Sequence, residues 1–126
     1  MSYTATTHCG NDHQEWIKDL DFYKEEFNTM GTRLLEVAQK NTGHEVMAEV
    51  EHFQNQFIIQ RTNIDELKHD INAHAGKIAE EAKAHNGKME SIHLGEHDVL
   101  DERVEGLEKI INSLRHEFNL FLAKRL

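Results

Sequence analysis

Four of the ten histidines in this chain of 126 residues, His13, His74, His93 and His97, recur at positions where apolar residues would be expected. Two aspartates keep step with them. Asp70 precedes His74 by four residues, and His93, His97 and Asp101 follow one another at the same interval. Residues four apart lie on one face of a helix, so D-x3-H and H-x3-H-x3-D each form a ladder of donors. Neutral imidazole and carboxylate suit zinc, iron, copper or manganese. Such side chains turned inward from several helices are how di-metal bundle proteins build their sites. The candidate ligands are therefore His13, His74, His93 and His97, with Asp70 and Asp101 as further ligands or as groups that orient them.

The elements that must position these residues follow from apolar periodicity. His13, Trp16, Leu20, Tyr23, Phe27, Met30, Leu34 and Val37 alternate spacings of three and four, the seam of a packed helix. Val46, Val50, Phe53, Phe57, Gln60, Ile64, Leu67, Ile71, His74 and Ile78 make a second seam. His93, His97, Leu100, Val104, Leu107, Ile111, Leu114, Phe118 and Phe121 make a third. Asn11 with Gln14 resembles a capping box that opens the first helix, which leaves residues 1–10 as a loose tail before a single domain over 11–126. Asn41 to Gly43 form the first turn, with Gly43 suited to a helix C-terminus, and His85 to Gly87 form the second. Residues 80–92 have little apolar content, so the second boundary is the weaker one.

The expected architecture is all-α: an antiparallel up-down-up bundle of three long helices, at about 11–40, 44–84 and 88–125. Short turns return each helix beside its predecessor. The start of the first helix, the end of the second and the start of the third then share one end. At a rise of ~1.5 Å per residue the four histidines differ in height by ~5–7 Å, close enough to converge.

Composition narrows the function classes. Proline is absent, which leaves long helices uninterrupted. A net charge of −9 argues against a nucleic-acid partner, whose phosphates call for clustered Lys and Arg. No apolar run approaches the ~20 residues of a membrane span, and the opening MSYTATTHCG carries neither a basic start nor an apolar core. With one cysteine, Cys9, there is no internal disulfide, which is compatible with a reducing, cytoplasmic setting. Catalysis is left open: no nucleophile, phosphate loop or substrate pocket is visible.

Each residue also has a plainer reading. A histidine at the end of a bundle seam can be a half-exposed filler whose nitrogens bond to Asp70, Asp101 or water. Convergence of four from three helices is what favours a mono- or dinuclear site, holding iron or zinc. Cys9 and His8 are either extra ligands, the thiolate favouring zinc, or bystanders. His44, His52, His69 and His116 map outward and His85 to a turn. Gln60 reads as a buried amide that fixes register. The off-seam Ile58, Ile59, Leu120 and Leu122 either widen the core or mark a partner surface, which supports an alternative: an acidic scaffold that forms a homodimer or docks a partner helix. Bis-histidine haem ranks last, because the large aromatics near His13 leave no sign of a wide apolar pocket.

Two resemblances arise from these residues. EHFQNQFIIQ with IDELKHDI, DHQEW near the start and LRHEFNLFL near the end resemble a group of short all-helical proteins of Bacteroidota, a likeness that implies the fold and no activity. The H-x3-H at His93 and His97 and the neighbouring carboxylates resemble hemerythrin and ferritin-like di-iron bundles, which implies a metal centre. Hemerythrins use four helices and an H-x3-E helix whose glutamate bridges the irons. No histidine here has a glutamate four residues later, and His97 with Asp101 is the nearest equivalent.

Overall fold

The computed structural model describes residues 3–5 and 7–126, and the side chains of residues 9–87 and 92–126. Three helices carry the fold: α1 (Thr7–Lys40), α2 (His44–Ala84) and α3 (Ser91–Arg125). They pack on one another as the up-down-up bundle that the seams require. All ten residues of the α2 seam are buried. So is the seam of α1, with Tyr23 alone partly covered, and that of α3 from His97 to Phe121. None of these helices is long and apolar enough to cross a membrane.

The α1–α2 register is regular. Asp21 pairs with Lys68, Lys24 with Asp65 and Asn28 with Arg61, each step along α1 being matched by an equal step backward along α2. These pairs are exposed and worth about 0–1 kcal/mol each, so they mark register more than they supply stability. Stability comes from the seam, where full burial of a Leu, Ile or Phe contributes ~1.5–3 kcal/mol. Its far half is aromatic. Phe53 stands 5.2 Å from Phe118 and 4.9 Å from Phe121, ring centre to ring centre, and Phe27 stands 5.5 Å from Phe57. The histidines occupy the other end.

The helix ends depart from expectation in three places. First, α1 begins at Thr7, so Asn11 lies inside the helix, exposed, and does not cap it. The reason is Cys9, one turn before His13, which is 1% exposed and packs with Ile78, giving the extra turn something to bury. Second, the expected loose tail is partly ordered: β1 (Tyr3–Ala5) pairs antiparallel with β2 (Lys88–Glu90), Thr4 opposite Met89. This two-stranded ribbon delays α3 to Ser91 and ties the start of the chain to the α2–α3 connection. Third, Gly43 is the N-cap of α2, in an extended conformation at φ −64°, rather than a C-terminal cap of α1. Asn41 closes α1 instead: its backbone N–H and its side-chain amide each donate to Val37 O at 3.0 Å.

The second turn does use the left-handed region. Asn86 (φ 54°) and Gly87 (φ 81°) follow the C-cap His85, and Gly87 N–H donates to Ala82 O at 2.7 Å. This is the six-to-one bond of a Schellman ending, which favours glycine or asparagine at such angles. The tight reversal sets the end of α2 against the start of α3, where His74 and His97 face each other.

Candidate metal centre

His13, His74 and His97 converge at the bundle end, each from a different helix. All three are buried, at 5%, 4% and 3% exposure. One ring nitrogen of each lies within 4.8 Å of the other two. Ring centres are 5.0 Å apart for His13 and His74, 5.3 Å for His13 and His97, and 6.0 Å for His74 and His97. Trp16, one turn along α1, floors the cluster, its ring 4.7 Å from that of His97 and 5.6 Å from that of His13.

Hydrogen bonds assign the protons. His74 Nε2 is 3.1 Å from the backbone carbonyl of His93, which can only accept, so His74 carries its proton there. Its Nδ1 must then accept, and His13 Nε2 donates to it at 2.9 Å. On the third ring, Nε2 of His97 donates to Asp12 Oδ2 at 2.8 Å. A carboxylate on one imidazole nitrogen leaves the other nitrogen as the basic donor and fixes the ring plane, as in carboxylate–histidine–metal triads.

Burial keeps His13 and His74 neutral. Burial, then repulsion from His74 and His97, lowers the His13 pKa to about 4 against an opposing pull from Asp12. Burial also lowers that of His74, partly offset by the His93 carbonyl and Glu96. Uncharged imidazoles at neutral pH are the form that binds metal.

His93, the fourth candidate, borders the cluster. It is partly buried, its ring centre 6.4 Å from that of His74, and it faces Glu96 and Glu81. The aspartates of the expected ladder are not at this centre. Asp70 is partly exposed at the edge of the groove between α2 and α3 and pairs with Arg103 at 2.8 Å, and Asp101 is exposed. Four-residue spacing placed both on the right helices, but each lies off the buried seam. The carboxylates beside the imidazoles are Asp12, Glu96 and Glu81. The sequence reading missed both Glu96, whose position three after His93 could have marked it, and Asp12, which gives no such signal because its histidine belongs to another helix.

The remaining sequence expectations resolve simply. His44, His52, His69 and His116 are exposed, and His85 is the α2 C-cap with Glu81 at 3.6 Å. Burial, then Asp12 and Asp98, pushes the Cys9 thiol above its usual pKa. The side chain of His8 lies outside the described residues. Gln60 is buried and its Oε1 accepts from Asn63 at 3.1 Å. Leu122 packs against the core, whereas Ile58, Ile59 and Leu120 are exposed.

Among the described residues, grooves reach the cluster from two sides. One, of about 680 Å³, lies between α1 and α2 and is lined by Gly10, His13, Gln14, Asn72, Ala75 and Ala79 among others. The other, of about 340 Å³, lies between α2 and α3 and touches His74, Lys77 and Glu96. A cation held by three imidazoles would keep coordination positions open to water or a small ligand. Comparison with protein-family models, with curated proteins and with solved structures found no match to this chain.

Proposed function

We propose that this protein is a metal-binding helical bundle in which His13, His74 and His97 hold one divalent cation, iron or zinc. The observation that carries the reading is the mutual approach of three buried imidazoles from three helices. Tetrahedral zinc at Zn–N distances of about 2.0–2.1 Å sets its nitrogens roughly 3.3 Å apart, so binding requires only small ring movements. His13 must move its Nε2 proton to Nδ1, or turn its ring, so that a lone pair faces the cation. Asp12 orients His97. The likeness of the H-x3-H at His93 and His97 to di-iron bundles supports this reading, and a single cysteine, Cys9, fits a cytoplasmic setting.

Elemental analysis of untagged protein tests it. Metal should co-purify or reload near one ion per chain at the least, and His74→Ala or His97→Ala should lower that sharply while His52→Ala and His116→Ala leave it unchanged. A wild-type protein indifferent to added iron, zinc and copper overturns the reading. The exposure of Ile58, Ile59 and Leu120 favours a second reading, a homodimer or partner-docking scaffold. A monomeric mass in solution with no partner bound would count against it.

A further inference from the structure

The two ring nitrogens of His74 face two different donor sets. Nδ1 turns toward His13 and the inner cluster. Nε2, on the other edge of the ring, turns toward α3, where Glu96 Oε2 stands 3.9 Å away. Glu96 Oε1 is in turn 3.3 Å from His93 Nδ1. One donor atom from each of His74, His93 and Glu96 lies within 4.8 Å of the other two. His93 Nδ1 is buried and makes no well-aligned hydrogen bond among the described residues, Glu96 Oε1 at 3.3 Å included. A buried nitrogen left in that condition is costly unless something else uses its lone pair.

We infer that His74, His93 and Glu96 form a second cation site and that His74 bridges it to the inner one as an imidazolate. The inference rests on the three-histidine site proposed above and concerns what shares a ligand with it. The proton balance is explicit. The outer cation takes the place of the His74 Nε2 proton, which gives up its 3.1 Å bond to the His93 carbonyl and passes to water in the groove between α2 and α3, the ring turning so that Nε2 clears that oxygen. The ring then carries a lone pair on each nitrogen, one directed to each cation. No electrons are transferred, and the negative ring offsets part of the repulsion between the two ions.

The sites differ in chemistry. The inner one is all nitrogen and buried. The outer one adds a carboxylate whose side chain is 38% exposed, so it is harder and more open to water. Glu81 lies 3.9 Å from His93 Nε2, in position to orient that ring. Lys77 Nζ is 3.5 Å from Glu96 Oε2 and opposes a cation there, yet it is 59% exposed and free to swing into solvent.

Metal-free, untagged full-length protein is titrated with zinc and, separately, with copper(II), and bound ions per chain are counted after gel filtration. The copper samples are also examined by electron paramagnetic resonance. The expected result is two ions per chain, one in Glu96→Gln and in His93→Ala, and tighter second binding in Lys77→Met. With two coppers the integrated signal should fall well below that of two isolated ions, because the imidazolate couples their spins. With one copper it should be full. Two ions with a full, uncoupled signal overturn the bridge. One ion in wild type, unchanged in Glu96→Gln, overturns the outer site and leaves the inner one standing. No bound ion overturns both.

Discussion

Asp12 accepts a 2.8 Å hydrogen bond from His97 Nε2, joining the first turns of α1 to those of α3 across 85 residues of sequence. The pair shows that the centre is organised by contacts between helices and not only along them. His97 is 3% exposed, whereas the Asp12 carboxylate is one-third exposed, so the bond connects the buried cluster to its rim.

Asp12→Asn should weaken metal binding by roughly 10- to 100-fold, the usual effect of losing a carboxylate that orients a ligating histidine. The number of ions bound at saturation should not change. Competition against a chromophoric chelator measures both quantities, and an unchanged affinity would detach Asp12 from the site.

The metal-free protein should lose stability in acid through His13. Its folded pKa of about 4 lies below its ordinary value of 6.5, so the unfolded chain binds the proton more readily. Stability from this group is complete above the unfolded pKa, falls as pH drops from about 6.5 toward 4, and levels off below. The shift corresponds to on the order of 3 kcal/mol. The depressed pKa of His74 adds in the same direction. Chemical denaturation of chelator-treated protein across that window provides the check, and a flat profile would count against burial of neutral rings.

Replacing both hydrogen-bonded partners differs from replacing one. His13→Leu/His74→Leu should be more stable than His74→Leu, since both lose the bond to the His93 carbonyl but only the single variant leaves the His13 N–H without its acceptor. His74→Leu alone strands the His13 N–H and should cost about 1–3 kcal/mol. Both proteins should bind no metal at the inner site. If the double variant is the less stable of the two, the histidines contribute packing that leucine cannot reproduce.

Asp70→Asn and Asp101→Asn should leave metal content unchanged. Asp70 pairs with Arg103 where both side chains are almost half exposed, so its loss should cost no more than about 1 kcal/mol. A fall in metal content in either variant would restore the carboxylate ladder read from spacing.

Much of this arrangement was legible in the one-dimensional pattern because burial in a long helix is periodic. Every residue of the α2 seam from Val46 to Ile78 is buried, His74 included. Convergence of His13, His74 and His97 then followed from helix rise and short turns. What periodicity cannot encode is partner choice across helices. Spacing nominated Asp70 and Asp101 because they share helices with histidines, whereas the carboxylate on His97 comes from α1. The Tyr3–Ala5 strand escaped for a related reason: three residues carry no recognisable alternation, and their partner lies more than eighty positions away.

The division of the seam, phenylalanines toward one end and imidazoles at the other, makes cohesion uneven along the bundle axis. Aromatic burial is concentrated in the half around Phe53, Phe57, Phe118 and Phe121, while the opposite half combines Trp16, Leu20, Ile71 and Ile78 with hydrogen-bonded rings and a two-stranded ribbon. A cation there would act as a rivet at the end most prone to fray. Amide hydrogens around residues 71–78 should accordingly exchange much more slowly once metal is bound, while those around 50–57 change little.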